Sequence, residues 1–134
     1  MGFNIFEGVE LNSMQLNYKI HKIKEHIICE LISDDIIINN LQDAIDILGN
    51  AHYLAVNKII LYQNQLSPDF FDLKTRLAGD ILQKFSNYRM QLAIVGNFED
   101  IKSKSLKDFI YECNQIGQII FVADFESAIL RLTK

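Results

Sequence analysis

The sequence predicts a single α/β domain whose sheet is mostly parallel and begins with an antiparallel β-hairpin. Two observations predict this class: two strand-like segments stand together near the start, and three further apolar strands then alternate with segments of helical periodicity. Strands separated by helices are joined by right-handed crossovers within one sheet. The chain has 134 residues, 49% of them hydrophobic, which suits one domain with one core.

The hairpin follows from a period of two. Apolar and polar residues alternate over residues 16–21, as in a half-buried strand, and a second strand follows over residues 27–32. Residues 22–26 between them, which are polar except for Ile23, predict the turn. Residues 1–13 show no clean periodicity, so we expect an extension or tag-like segment there and the α/β domain over residues 14–134.

The first helix is predicted from its ends. Asn39 can cap the free amides of the first turn, and Gln42 three residues later can reach back as in a capping box. Gly49 and Asn50 tolerate the left-handed conformation of helix ends, so the helix is expected to stop there.

The second helix follows a strand over residues 58–62. Ser67 is a good cap and Pro68 suits the first helical position, although Asp72 could equally cap a helix that starts one turn later. Asn87 closes the element. The residues expected on its apolar face are Phe70, Leu73, Leu77, Ile81 and Phe85.

The remaining elements complete the alternation. Continuous apolar runs at residues 90–96 and 119–122 suit strands covered on both faces. Between them a helix carries Leu106 and Cys113 on its apolar face and ends near Gly117. A short helix over residues 126–132 follows.

Composition excludes several classes of function. A net charge of −4 argues against nucleic-acid binding, which needs a basic face. No apolar run reaches 18 residues, so no membrane span is predicted. The start of the chain lacks the pattern of a secretion signal, and only two cysteines occur, which predicts a cytoplasmic protein. Frequent Ile and Asn suggest an AT-rich, bacterial genome.

No catalytic, cofactor or metal site is predicted. His21, His26 and His52 are scattered, and the first two are expected on the surface beside the hairpin turn. Cys29 and Cys113 fall at apolar positions and are expected in the core. A single glycine at Gly96-Asn97-Phe98 does not make a dinucleotide-binding loop.

Several long runs resemble one bacterial family. They are residues 67–75, 83–88, 92–96 and 104–114, and the similarity extends over roughly residues 15–132. These runs resemble the family known as domain of unknown function 4180. The resemblance supplies a family but no activity.

The order of elements is also similar to that of the STAS domain of anti-sigma factor antagonists. This resemblance implies that the fold is a STAS-like α/β domain. Signalling STAS domains carry an Asp-Ser-Ser-Gly motif, with a phosphorylated serine, where a helix begins after a strand and an irregular loop. Asp72 falls in place of the Asp, but Leu73 and Lys74 replace the serines and Thr75 the glycine. We therefore do not expect phosphoregulation at that position.

A polar cluster is expected at the carboxyl ends of the parallel strands, where open α/β sheets bind ligands. Helix caps and solvated charges would account for many of its members, and an interaction or ligand surface is the alternative interpretation. Phe71 is added because an exposed aromatic residue often anchors a partner. The candidate residues are Asn64, Ser67, Asp69, Phe71, Asp72, Lys74, Thr75, Arg76 and Asn97.

These observations predict a non-enzymatic protein-interaction or regulatory module, since the related STAS fold contacts kinases and sigma regulators at this place. The alternative is a protein or enzyme that binds a small ligand, an anion or a nucleotide, in the crevice above the sheet. The expected partner is a protein. A homodimer is also considered, formed through helices or the N-terminal extension, because Lys19 and its neighbouring lysines oppose pairing at the open edge of the hairpin.

Overall fold

The computed structural model describes residues 5–8 and 16–134, with side chains described from residue 16 onward. Its strands are β1 (Ile5–Gly8), β2 (Asn17–Ile23), β3 (His26–Ile32), β4 (Lys58–Tyr62), β5 (Gln91–Val95) and β6 (Ile119–Val122). Its helices are α1 (Leu41–Tyr53), α2 (Leu77–Asn87), α3 (Lys104–Ile116) and α4 (Phe125–Leu132). No helix of the described part combines the length and apolarity needed to cross a membrane.

The six strands lie side by side in chain order. β1 pairs with β2 and β2 with β3 in antiparallel fashion, whereas β3 to β6 are parallel. The predicted hairpin and the α/β alternation are confirmed. The hairpin turn is tighter than expected, because only Lys24 and Glu25 separate its strands.

Strand order decides which face each helix covers. Right-handed crossovers between successive neighbouring strands place α1, α2 and α3 on the same face of the sheet, where the larger apolar core lies. The short α4 covers the opposite face and packs Ala128 and Leu132 against Ile60 and Ile120.

The N-terminal segment differs in part from expectation. Residues 1–13 were expected outside the fold, but Ile5–Gly8 pairs with β2 and places Glu7 opposite Lys19. This pairing covers the hairpin edge that we expected to be open. Backbone pairing at an edge does not require an apolar pattern, so the local sequence gave no sign of it. The other residues of 1–13 lie outside the described part of the chain.

Both ends of α1 differ from those predicted. Its cap is Asn40, whose side chain accepts a hydrogen bond from the Asp43 amide, while the Asn39 amide donates to the Asp43 carboxylate. The helix continues through Gly49 to Tyr53 and ends where Ala55 adopts a left-handed conformation, with φ of 60°. A glycine is tolerated within an exposed helix at a cost of about 1 kcal/mol, so it need not end one.

The second helix begins later than predicted, at Leu77. Ser67 and Asp72 both accept hydrogen bonds from amides two residues on, but each starts only a 3-10 turn, Pro68–Phe71 and Leu73–Thr75. Arg76 then adopts a left-handed conformation with φ of 67°, which interrupts the helical path. The predicted end at Asn87 is confirmed, as is the end of α3 at Gly117.

Candidate functional site

The segment between β4 and α2 meets the loop after β5 at the carboxyl edge of the sheet. The Asn97 amide donates a hydrogen bond of 3.0 Å to Gln63 Oε1, which joins the two loops. We call the exposed side chains of residues 64–76, together with Asn97, the carboxyl-edge surface. The sequence-based expectation that these loops lie together agrees with this contact.

Seven of the nine candidate residues are exposed: Asn64, Asp69, Asp72, Lys74, Thr75, Arg76 and Asn97. The other two serve the loop itself. Ser67 is buried, and its hydroxyl accepts a hydrogen bond of 3.2 Å from the Asp69 amide. Phe71 is half-buried rather than fully exposed, with its ring 5.0 Å from that of Phe70.

Gln65 anchors this segment to the neighbouring strand. Its side chain is 1% exposed; Oε1 accepts a hydrogen bond of 2.9 Å from the Tyr62 amide. Nε2 donates to the Leu31 and Ser33 carbonyls at 3.0 and 3.2 Å. One buried amide therefore fixes the loop against the end of β3. The sequence analysis did not single out Gln65.

Backbone hydrogen bonds complete the attachment. The Ile37 and Ile38 amides donate to the Gln65 carbonyl, and the Ser67 amide donates to the Ile38 carbonyl at 2.9 Å. Further along, the Thr75 hydroxyl lies 2.6 Å from the Asp69 carbonyl, to which it donates. The surface is therefore built on a loop of defined shape.

Aromatic rings lie beneath this loop. Phe98, from the loop after β5, packs edge-on against Phe121 of β6 with ring centroids 5.2 Å apart, and Phe71 lies 6.2 Å from Phe98. Phe70, 1% exposed, lies 6.4 Å from Phe121. This cluster connects the surface to the core without a covalent or ionic link.

A cleft of about 710 Å³ opens beside Phe98 at the ends of β5 and β6. Phe98, Ile110 and Phe121 give it an apolar wall. Asn97 is the candidate residue that lines it. Asn114 also lines it, but its amide is engaged: Oδ1 accepts a hydrogen bond of 2.7 Å from the Phe121 amide on the outer edge of β6.

The charged groups of the carboxyl-edge surface stay available. In the part of the chain whose side chains are described, no ion pair includes its four charged residues, Asp69, Asp72, Lys74 and Arg76. The amide of Leu77 at the start of α2 already donates to the Thr75 hydroxyl, which leaves fewer free donors there for an anion. The surface therefore carries two acidic and two basic groups, which have no net charge together.

A family model with the description Domain of unknown function (DUF4180) matches residues 23–132. The chain belongs to the DUF4180 family. The match runs from the last residue of β2 to the end of α4 and so includes the whole carboxyl edge. Comparisons with curated proteins and with solved structures found no match.

This DUF4180 domain holds a buried polar network that the sequence analysis missed. His21 is 6% exposed, contrary to the expected surface position, and its Nε2 lies 2.8 Å from Glu30 Oε1. The Tyr62 hydroxyl donates to Glu30 Oε2 at 2.5 Å. Burial first, and then the hydrogen bond to Glu30, raise the pKa of Tyr62 well above its ordinary value. The phenol therefore stays protonated and donates.

Both cysteines are buried, as predicted. Burial, with a smaller contribution from Glu30, raises the pKa of the Cys29 thiol to about 12, and burial with Glu112 raises that of Cys113 to about 11. A thiol held protonated is a poor nucleophile and metal ligand. Across the described residues, no three His, Cys, Asp or Glu side chains are grouped to hold a metal ion.

Gly96 gives a direct test of the contact between the two loops. A Cβ at this position would lie 2.6 Å from the Cβ of Gln63 and still closer to its Oε1. We expect Gly96→Ala to displace Gln63 and to lower the free energy of unfolding by about 2 kcal/mol, measured by urea denaturation. The matched control is Gly49→Ala, where nothing lies within 4 Å in α1, and there stability should rise by about 0.5–1 kcal/mol. Equal effects of the two substitutions would contradict the close approach of the loops.

Proposed function

We propose that this DUF4180 domain is a non-enzymatic regulatory module that binds a protein partner through the carboxyl-edge surface. The observation that supports it is the combination of seven exposed polar or charged residues with a loop anchored by a buried amide, Gln65. The domain would act in the cytoplasm, and it would bind its partner in a way similar to that of STAS domains.

A fixed loop favours binding because little conformational entropy is lost on association. The hydrogen bonds of Gln65, Ser67 and Thr75 hold the loop before a partner arrives. The exposed side chains of Asp69 and Lys74, in contrast, form no hydrogen bond or ion pair with the described residues. The backbone of the loop is therefore fixed before a partner binds, whereas the charges of Asp69 and Lys74 would be paired by the partner.

The charges of the carboxyl-edge surface indicate the charges that its partner would present. Along the chain two acidic residues, Asp69 and Asp72, are followed by two basic residues, Lys74 and Arg76, so a complementary partner presents basic groups opposite the first pair and acidic groups opposite the second. Such rim charges contribute to the rate of association and to specificity more than to raw affinity. Binding should accordingly weaken as ionic strength rises.

The test is a pair of double substitutions that leave the net charge unchanged. Asp69→Lys with Lys74→Glu reverses two of the four charges of the carboxyl-edge surface, and neither side chain supports the loop. Lys107→Glu with Glu112→Lys makes the same exchange on the exposed face of α3. Partners are captured from extracts of the native host with each variant, identified by mass spectrometry, and their affinities measured with purified protein.

We expect the first variant to bind its partner at least about tenfold more weakly than the wild type, with the α3 variant unchanged. Both variants should unfold at the wild-type denaturant concentration. Recovery of the same partners with the same affinity by the Asp69→Lys, Lys74→Glu variant would overturn the proposal.

The cleft beside Phe98 supports a second candidate function, binding of a small ligand. Its volume of about 710 Å³ falls within the range of ligand pockets, and its apolar wall suits a ligand with an apolar group. A thermal-shift screen of metabolites and nucleotides tests it, because a ligand at 100 times its Kd stabilises a protein by about 2.7 kcal/mol. Ile110→Asp should abolish any such shift, while the double substitution in the loop should not.

A further inference from the structure

Two adjoining clefts begin at the amino edge of the sheet, at the other end of the parallel strands, and the second extends along β2 to Tyr18. One, of about 470 Å³, is lined by residues that include His52, Tyr88 and Met90. The second, of about 350 Å³, is lined by residues that include Tyr18 and Leu54. Both clefts are lined by Ile27 and Val56, so they adjoin, and we call the two together the amino-edge groove.

Large apolar side chains are exposed along this groove. Tyr88 and Leu54 line it and are 42% and 37% exposed, and Tyr53, which precedes Leu54 in the chain, is 87% exposed. The His52 ring stands edge-on to Tyr88, with centroids 6.2 Å apart, and shapes the wall. Exposed aromatic residues beside a cleft are characteristic of binding hot spots.

Charge distinguishes this edge from the rest of the protein. The chain has a net charge of −4, yet the described residues that line or adjoin the groove include three cations, Lys24, Lys58 and Arg89, and one acidic residue, Glu25. Lys58 lines the first cleft, while Lys24 and Arg89 are the chain neighbours of Glu25 and Tyr88. A local excess of positive charge selects an acidic occupant.

We propose that the amino-edge groove binds an acidic segment of a protein partner that carries aliphatic or aromatic side chains. The apolar side chains of the segment would pack between Tyr53, Leu54 and Tyr88, and its carboxylates would face Lys24 and Arg89. An elongated groove made of two shallow clefts suits a peptide, whereas small-molecule sites enclose most of their ligand. The first cleft lies at the opposite end of the strands from the carboxyl-edge surface, so the two surfaces can be tested separately.

The test uses the full chain and three short synthetic peptides. The first alternates Glu with Leu and Phe, the second has Lys in place of Glu, and the third keeps Glu but has Ser in place of Leu and Phe. Binding is measured by fluorescence anisotropy and mapped by backbone NMR shifts. We expect the first peptide to bind best, with a salt-dependent affinity and with shifts at residues that line the groove.

Two variants probe the two parts of the interaction. Tyr53→Ser, at a position that is 87% exposed and adjoins the lining residue Leu54 in the chain, should weaken binding of the first peptide about tenfold and leave the core intact. Lys24→Glu with Arg89→Glu should weaken it by a similar factor and make the lysine peptide the better ligand. The matched controls on α3, Tyr111→Ser and Lys107→Glu, should change neither affinity.

Three results would overturn the proposal. If the lysine peptide bound as well as the first peptide, charge would not determine binding. If the serine peptide bound as well, apolar contacts would not determine it. Unchanged affinity of Tyr53→Ser, or shifts confined to other surfaces, would place the peptide elsewhere. A dimer in light scattering that Tyr53→Ser dissociates would show that a second copy of the chain occupies the groove instead.

Discussion

Replacing Gln65 with Leu should lower the free energy of unfolding by about 3 kcal/mol. The substitution keeps the side chain's size but leaves the Tyr62 amide and the Leu31 and Ser33 carbonyls without their partner. A buried group left unsatisfied costs about 1–3 kcal/mol, and this position removes three bonds at once. Urea denaturation of the purified variant measures the loss. The variant should also bind the partner of the carboxyl-edge surface more weakly, because the loop loses its anchor.

Gln115→Leu on the exposed face of α3 is the control and should change stability by less than about 0.5 kcal/mol. Gln65→Glu separates shape from hydrogen bonding, since it retains the acceptor for the Tyr62 amide but places an oxygen against two carbonyls. It should also destabilise the domain. Wild-type stability in both Gln65 variants would show that the loop does not depend on this amide.

Glu30→Ala should lower the free energy of unfolding by about 3 kcal/mol, as much as Gln65→Leu. Glu30 is 9% exposed and accepts hydrogen bonds from His21 and Tyr62, so its removal leaves two donors without their acceptor and a cavity between β2 and β4. Removing one member of a buried hydrogen-bonded network costs more than the net contribution of its bonds, because the remaining members are left unsatisfied. Chemical denaturation at neutral pH gives the value.

Tyr62→Phe provides the comparison because it removes one hydrogen bond and retains the His21–Glu30 contact; we expect a loss of about 1 kcal/mol. The raised pKa of Tyr62 also sets a pH dependence. The folded protein keeps the phenol protonated where the unfolded chain ionises, so this stabilisation is present below about pH 10 and is lost as the pH rises further. The Phe variant should lose less stability in that alkaline range than the wild type.

Local patterns predicted the hairpin, the alternation of strands and helices, and the confirmed ends of α2 and α3, because period and caps are local properties. The same local rules failed between residues 67 and 76. Ser67 and Asp72 have the chemistry of helix caps, but the left-handed Arg76 and the attachment to Ile38 divide the segment into short turns. A distant contact decided the outcome there.

Burial of polar side chains was also beyond local prediction. His21 alternates with apolar neighbours and was assigned to the solvent side of its strand, yet that face is covered by α4, whose Phe125 ring lies 5.2 Å from the imidazole. Gln65 bonds to residues more than 30 positions away. By contrast, the meeting of the loops after β4 and β5 could be predicted from strand ends alone, because parallel strands end at one edge.

Amide hydrogen exchange of the domain, free and bound to a partner captured from the native host, tests the central proposal most directly. Binding through the carboxyl-edge surface predicts that new protection concentrates in residues 64–76 and around Asn97, and that the Asp69→Lys, Lys74→Glu variant loses it. Protection confined to the amino-edge groove, to the exposed face of α3, or spread evenly over the sheet would contradict the proposal.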